Sequence, residues 1–173
     1  VRSYINLPKW QRLAVQLSAS PKWGVWHGQL SAGYSAQWLT IDTSTGRHKM
    51  NKPQFTCSAN NAFGFKHGWN ANLNARYGST SDYSNFSYIH PTAILNANVQ
   101  KSWAKDRFMV RFGVYDIFRQ NYTKSRSYSY GYSSYLDDHY QTRSVILTFR
   151  YRLNTTRSKY RGTGAGNSEK QRM

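Results

Sequence analysis

Few residues of this chain have the types and spacing that catalysis or metal binding requires. The segment Asp137-Asp138-His139 could hold a divalent cation at a loop tip, but two adjacent carboxylates do not form a cage of ligands. The other four histidines lack the spacing of a zinc site, and no Gly-x-Ser-x-Gly motif occurs. Gly162-Thr-Gly-Ala-Gly166 is not followed by a helix pattern, as a phosphate loop would be. We therefore expect no enzyme activity, no cofactor and no metal site.

Two other sets of side chains could act by binding ligands rather than by catalysis. Arginines on the polar side of the predicted strands could line an anion path, or pair with acidic residues of an absent segment. They are Arg12, Arg76, Arg111, Arg150 and Arg152. Tyrosines of a Tyr- and Ser-rich segment could stack on a sugar or siderophore-like ligand, or form an amphipathic β-extension without a ligand. They are Tyr122, Tyr128, Tyr130, Tyr132 and Tyr135.

The elements that must position these residues are β-strands, because apolar side chains recur at every second residue. Near the C-terminus, Val145, Leu147, Phe149, Tyr151 and Leu153 alternate with mostly polar residues. Such a period of two gives a strand one apolar and one wet face. The same pattern occurs in seven segments: Arg12–Ser20, Trp23–Leu39, Gln54–Phe63, Trp69–Gly78, Pro91–Trp103, Arg107–Ile117 and Tyr140–Leu153. Most are as long as the roughly 9–11 residues of a membrane strand, whereas soluble strands cluster near five or six.

The position of the arginines predicts which strand face meets water. Arg76, Arg111 and Arg150 all fall on the polar parity. An Arg on the lipid face of a membrane strand costs about 2–4 kcal/mol near the midplane, so three would cost around 10 kcal/mol. That is comparable with the whole stability of a domain. The polar parity must therefore face a wet interior, which favours a transmembrane barrel over a soluble β-sandwich with a dry core.

The connections between the strands alternate in length, as they do in outer-membrane barrels. The short turns are at Pro21-Lys22, Gly64–Gly68 and Ala104–Asp106, and the long segments are Thr40–Pro53, Ser79–His90 and Phe118–His139. Aromatic residues flank both ends of the strands and predict two girdles at the membrane boundaries. We expect the short turns in the periplasm and the long loops outside, with the last of them forming a β-extension.

Seven strands alone would not close such a barrel. Single-chain bacterial barrels have an even number of strands, and an open edge leaves backbone groups unpaired in hydrocarbon. The sequence therefore predicts an all-β, antiparallel transmembrane barrel fragment over residues 1–153, followed by a polar periplasmic tail over 154–173.

The charge of the chain indicates a polyanionic partner. The net charge is +17, from 24 Lys and Arg against 7 Asp and Glu. Nucleic-acid binding would need basic and aromatic residues on one continuous face, whereas here the basic residues divide between the long loops and the tail. We therefore expect outer-membrane lipid and lipopolysaccharide phosphates as partners, and no nucleic acid. The single cysteine, Cys57, excludes a disulfide framework and reads as an apolar filler on the lipid side.

Several motifs resemble those of TonB-dependent receptors. The segment Arg107–Phe118 ends in Asp116-Ile117-Phe118, similar to the Asn/Asp-Leu/Ile-Phe triplet that ends the next-to-last strand of that family. Ser144–Leu153 resembles the final strand, although it ends in Tyr-Arg-Leu rather than in Phe. The tail, with Gly162, Gly164 and Glu169 before a terminal Arg-Met, resembles one branch, the outer-membrane β-barrel family of TonB-dependent-receptor-like proteins.

The resemblance implies more than the spacing does. It implies that these are the last seven strands of a barrel of about 22 strands, located in the cell outer membrane, with a plug domain and a TonB-contacting segment upstream. The function it implies is the wall and outer loops of a gated uptake path for a nutrient such as a siderophore or glycan. The alternative is a structural, adhesive or ligand-sensing barrel that imports nothing.

Overall fold

The computed structural model describes residues 9–44, 46–129 and 131–153. Apart from one 3-10 turn at Lys66–Gly68, the regular structure in these residues is entirely β. The strands are β1 Trp10–Ala19, β2 Lys22–Trp23, β3 Trp26–Thr43, β4 Gly46–Met50, β5 Gln54–Gly64, β6 Trp69–Gly78, β7 Ser81–Tyr83, β8 Phe86–Tyr88, β9 Thr92–Trp103, β10 Phe108–Tyr115, β11 Thr123–Ser129, β12 Tyr132–Asp138 and β13 Ser144–Tyr151.

The long strands form one antiparallel main sheet. Its order is β1-β3-β5-β6-β9-β10-β13, so each long strand pairs with the next one along the chain. The short strands β2 and β4 both pair with β3. These seven long strands correspond to the seven segments predicted from alternation, and the antiparallel all-β prediction is confirmed. The sheet is open in the described residues, since β1 pairs only with β3 and β13 only with β10.

No helix among the described residues is long and apolar enough to span a membrane.

Two of the three segments predicted as long loops contain strands instead. Within 40–53, β3 continues to Thr43 and returns through β4, with Leu39 opposite Met50. Within 79–90, β7 and β8 form a hairpin whose turn includes Ser84 at φ 51°. Both segments are mainly polar, with few apolar residues, so hydrophobic alternation does not reveal these strands. The β-extension expected within 118–139 is confirmed as the hairpin of β11 and β12.

Several predicted boundaries were also wrong. The turn predicted at Pro21-Lys22 lies slightly later, because Lys22 and Trp23 already pair with His27 and Trp26. Gly24, with φ 55°, lies in the turn between the paired residues Trp23 and Trp26. The last strand covers Ser144–Tyr151 rather than 140–153.

The strand register keeps like side chains together in rows across the main sheet. One row contains Leu17, Ala32, Cys57, Tyr77 and Ala93. A row on the opposite side contains Gln29, Asn60, Asn74 and Asn96. We call these two sides the aliphatic face and the polar face. Paired residues of an antiparallel sheet share a face, so the alternation of each strand adds up to two continuous surfaces.

Gln11, Asn61 and Lys101 depart from this rule as polar residues on the aliphatic face, and Gln11 pairs with Trp38 at its outer end. Asn61 pairs with Gly28 and Leu73, and Lys101 pairs with Trp69 and Val110. The amide of Asn61 is satisfied locally, because Trp26 Nε1 donates to its Oδ1 at 2.9 Å and its Nδ2 donates to the Leu73 carbonyl at 3.3 Å. A hydrogen-bonded amide costs far less in an apolar setting than an unpaired one.

Aromatic residues bound the aliphatic face at both ends. At the short-turn end, the Phe108 ring stacks on Trp103 at 5.8 Å and on Tyr151 at 4.6 Å between centroids. On β3, the run from Trp26 to Trp38 is roughly 40 Å long, at about 3.3 Å per residue. A strand tilt near 40° reduces this length to about 30 Å, the thickness of the hydrocarbon core of a bilayer.

The turn between β5 and β6 is folded tightly against β9. His67 has φ 60° and Gly68 has φ 77°, both in the left-handed region. A Cβ built on Gly68 would lie 2.2 Å from the Ser102 carbonyl oxygen, so only glycine fits this close approach. The turn therefore connects the β5–β6 hairpin to the neighbouring strand.

Replacing Gly68 by alanine is expected to destabilise the sheet by roughly 1–3 kcal/mol, because it adds both backbone strain and a clash with Ser102. Urea unfolding of the protein in lipid vesicles measures the change. Gly78→Ala is the matched control, since nothing lies within 4 Å of a Cβ at that position. Equal stability of the two variants would contradict this account of the turn.

Candidate functional site

The described polar side chains with binding potential lie on the polar face and in an outer extension above it. We define the outer extension as β4, β7, β8, β11, β12 and their connections. Four of its strands form a second sheet, in the order β12-β11-β8-β7. Backbone hydrogen bonds join parts of this sheet that are distant in the sequence. One of them runs from the Tyr128 N–H to the Asn85 carbonyl at 3.0 Å.

Gln37 fixes the outer extension to the polar face. This side chain is only 2% exposed. Its Nε2 donates to the carbonyls of Met50 at 3.1 Å and Ser84 at 3.0 Å, and its Oε1 accepts from Ser84 N–H at 2.8 Å. Trp10 Nε1 also donates to the same oxygen at 3.2 Å. Gln37 points to the polar side of β3, so the β7–β8 hairpin lies over the polar face rather than splayed away from it.

A small apolar cluster lies beyond Gln37 on the same side of β3. Leu39, Ile41 and Met50 are buried, and Tyr128 of β11 packs against them. Tyr128 also stacks on His48, with ring centroids 4.0 Å apart. Leu39 and Ile41 continue the parity that is polar from His27 to Gln37. The residues of this parity change from polar to apolar after Gln37. This is the position along β3 where the outer extension begins to cover the polar face.

Asp116 organises the base of the β11–β12 segment. Its carboxylate, in a residue only 2% exposed, accepts from the backbone N–H groups of Gln120 at 3.1 Å and Asn121 at 3.3 Å, and from the Thr142 hydroxyl. Its own N–H donates to Asn96 Oδ1 at 2.9 Å. These bonds join the two ends of the segment to β9 at one point.

Burial alone would raise the pKa of the Asp116 carboxyl. The hydrogen bonds from Thr142, Gln120 and Asn121, together with the positive charge of Arg143, outweigh burial and hold that pKa below its ordinary value. The carboxylate is therefore ionised in its native surroundings.

Beside the base of the β11–β12 segment, the ring of one tyrosine lies between two histidines. The Tyr122 ring stacks on His90 at 3.9 Å and on His139 at 4.1 Å between centroids. Lys124 makes an ion pair with Asp137 at 3.0 Å. The His90 Nε2 atom is buried and has no hydrogen-bond partner among the described residues. Burial, followed by the charges of Lys124 and His139, holds the pKa of His90 below 6.5 despite the opposing effect of Asp137.

The predicted arginines occupy the polar side of the sheet in different environments. Arg111 donates from Nε at 3.1 Å and Nη2 at 2.7 Å to Gln100 Oε1. Arg12 lies over the Tyr83 ring, with Cζ 4.9 Å from the centroid. Arg76 pairs across the sheet with Ser58 and Ile94, and Arg150 with Met109. Arg152 follows β13, where its N–H donates to the Arg107 carbonyl.

These arginines do not form one cluster. The row that holds Arg111 crosses β6 at Asn70, six residues from Arg76, which corresponds to roughly 20 Å along the strand. In residues 9–44, 46–129 and 131–153, the only ion pairs between side chains are Arg47–Asp42 and Lys124–Asp137. The polar face therefore presents separate cations that no described carboxylate neutralises.

The predicted tyrosines divide into two groups. Tyr122 and Tyr128 are engaged in stacking with histidines, and Tyr128 belongs to the apolar cluster. Tyr132 and Tyr135 of β12 are 66% and 54% exposed and so remain open to a ligand. Tyr130 lies outside the described residues.

Sequence reasoning did not identify Gln37, Asp116 or the histidine stacks as organising residues. Asp116 was recognised only as part of a motif. For Gln37, the sequence does contain a signal. On its side of β3 the residues are polar up to Gln37 and apolar from Leu39 onward. Nothing in the local sequence predicts that His90 meets Tyr122, because the contact depends on how the two hairpins pack. No group of three or more His, Cys, Asp or Glu side chains in the described part of the chain could hold a metal ion.

Asp116→Asn is expected to loosen the base of the β11–β12 segment. The amide keeps one acceptor oxygen but loses the charge and one of the accepting sites, at a cost of about 1–3 kcal/mol. Hydrogen exchange at the amides of Gln120 and Asn121 measures the effect. Asp106→Asn, in an exposed short turn, is the control. Unchanged protection in the Asp116 variant would show that these bonds do not hold the segment.

The stability of the outer extension is expected to fall in mild acid. Because folding lowers the pKa of His90, the unfolded segment binds more protons below 6.5. The contribution of neutral His90 to the stability of the outer extension is full above that pH. It is lost as the pH falls through the pKa that His90 has in the folded state. Hydrogen-exchange protection of β8 and β11, compared between about pH 8 and pH 5, tests this.

The double variant His90→Phe/His139→Phe should remove this pH dependence while keeping a stack on Tyr122. His27→Phe, on the polar face of the main sheet, should leave it intact. If the double variant retains the wild-type pH profile, the stack is not its source.

The comparisons with known proteins agree with this geometry. The family model described as the outer membrane protein beta-barrel family matches residues 1–151. No curated protein and no solved structure matches the chain. A family model that covers most of the chain, together with an antiparallel sheet that separates an aliphatic from a polar face, leads to one conclusion. The chain belongs to the outer membrane protein beta-barrel family.

Proposed function

We propose that this chain is part of the barrel of a TonB-dependent outer-membrane receptor, and that it forms the wall and outer loops of a gated uptake path. The cargo class is a nutrient such as a siderophore or glycan. The observation that carries the proposal is the fold of the outer extension onto the polar face through Gln37. In a barrel whose polar face lines the lumen, this position puts the extension above the entrance.

The open edges of the main sheet support membership in a larger barrel. Each unpaired backbone group costs several kcal/mol in hydrocarbon, so β1 and β13 require further strands on their outer sides. A barrel of about 22 strands, with a plug domain and a TonB-contacting segment, would supply them and would fill the lumen. Acidic groups of such a plug could pair with Arg76 and Arg150.

The outer extension offers surfaces for cargo and for lipopolysaccharide. Tyr132 and Tyr135 are exposed on β12 and can stack on a ring of the cargo. The basic residues of this end are Arg47, Lys49, Lys52, Lys124 and Arg126. Arg47 and Lys124 are already paired with aspartates, so Lys49, Lys52 and Arg126 are the better candidates for lipopolysaccharide phosphates. The proposed role is capture and passage, without catalysis.

Energy-dependent uptake tests the proposal. Cells expressing the full-length protein are given a single ferric chelate or oligosaccharide as the sole iron or carbon source, and accumulation of the labelled compound is measured. We expect accumulation that disappears when a protonophore collapses the inner-membrane gradient. Tyr132→Ala/Tyr135→Ala should reduce accumulation, with Tyr34→Ala on the aliphatic face as the control.

Gradient-independent passage would contradict a TonB-dependent mechanism. Surface binding without any accumulation would favour a non-transporting, adhesive or ligand-sensing barrel.

A further inference from the structure

Lys101 is the one charged side chain on the aliphatic face of the seven long strands between the short turns and Trp38, and it lies one row beyond the Trp26 row toward the short turns. It lies in a row with Trp69, Val110 and Phe149. The next row toward the short turns contains Trp103, Phe108 and Tyr151. Lys101 therefore lies roughly 7 Å inside the last aromatic row, at about 3.3 Å per residue. A cation at this boundary is stabilised by polar or anionic partners, because the rows on its inner side meet hydrocarbon.

The protein itself provides two of the contacts of this ammonium group. Lys101 Nζ donates to the His67 carbonyl oxygen at 2.5 Å, and it lies 5.0 Å from the centroid of the Trp69 ring. The His67 carbonyl is available because the glycine at position 68 allows the turn to fold against β9. A lysine ammonium has three hydrogens, so two remain for a ligand. The contacts place the charge at the girdle, where lipid headgroups begin.

The surroundings of Lys101 favour an anion. The short turns at this end carry Lys22, Lys66, Lys105 and Arg107, against the single acid Asp106. Aromatic rings beside a cation at the membrane boundary suit a headgroup that offers a phosphate outside and acyl chains inside. A neutral ligand would not use the excess positive charge.

We propose that Lys101, Trp69 and the β5–β6 turn form a binding site for the phosphate of an anionic phospholipid at the short-turn boundary of the membrane. The inference requires the aliphatic face to meet lipid and does not depend on cargo uptake. It assigns the site to the leaflet opposite the lipopolysaccharide, because the long extensions are at the other end of the strands.

Native mass spectrometry of the full-length protein, released from micelles containing either phosphatidylglycerol or phosphatidylcholine, tests the site. We expect retention of phosphatidylglycerol on the wild type, and about a fivefold lower bound fraction in Lys101→Gln, as the loss of one basic residue at a lipid surface predicts. Lys101→Arg should restore retention. Lys49→Gln, at the opposite end of the strands, is the control and should retain phosphatidylglycerol as the wild type does.

Three outcomes would overturn the site: equal retention in Lys101→Gln and wild type, no preference for phosphatidylglycerol over phosphatidylcholine, or stronger retention of lipid A than of phosphatidylglycerol. Urea unfolding of the same variants distinguishes a purely structural role, in which Lys101→Gln lowers stability without changing lipid retention. Uptake measured in parallel keeps the two proposals separate, since lost lipid binding with normal uptake affects only this one.

Discussion

The structure depends on a single constraint, which is that each strand must place its amides and arginines in water while its aliphatic side chains meet hydrocarbon. A guanidinium on the hydrocarbon side costs about 2–4 kcal/mol near the midplane, so the parity of Arg76, Arg111 and Arg150 fixes the orientation of the strands that carry them. The register then transmits this orientation across the sheet. Gln29, Asn60, Asn74 and Asn96 lie in one row because a slip of one residue would reverse a whole strand.

The departures of Asn61 and Lys101 from alternation follow the same constraint. Asn61 is tolerated on the aliphatic face because Trp26 and the Leu73 carbonyl satisfy its amide. Lys101 is tolerated because the β5–β6 turn provides a carbonyl and an aromatic ring at the membrane boundary. Above the membrane the polar side of β3 is no longer polar. Leu39 and Ile41 lie on that side and pack with Met50 in a small apolar cluster. Gln37, whose amide makes four hydrogen bonds, and Asp116, whose carboxylate accepts three, then fix the outer extension.

Much of this architecture could be predicted from the sequence, because a period of two is a local property of each strand. The seven long strands, their faces and the difference between short and long connections all follow from it. The hairpins within 40–53 and 79–90 were missed because each contains too few apolar residues to show a clear alternation. The stacks of His90 on Tyr122 and of His48 on Tyr128 could not be predicted, since each joins residues of different hairpins. Of the candidate site residues, Tyr128 is structural and Tyr132 and Tyr135 are open to ligands, a division set by packing.

Site-directed spin labelling along β6 tests the central claim most directly. In full-length protein with Cys57→Ser, reconstituted in lipid vesicles, a nitroxide is placed at each position of Trp69–Tyr77 in turn. Relaxation by oxygen reports hydrocarbon, and relaxation by a water-soluble nickel chelate reports aqueous surroundings. We expect oxygen accessibility to peak at Ala71, Leu73 and Ala75, and nickel accessibility to peak at Asn72, Asn74 and Arg76. Equal accessibility at neighbouring positions, or the opposite phase, would contradict the assignment of the two faces.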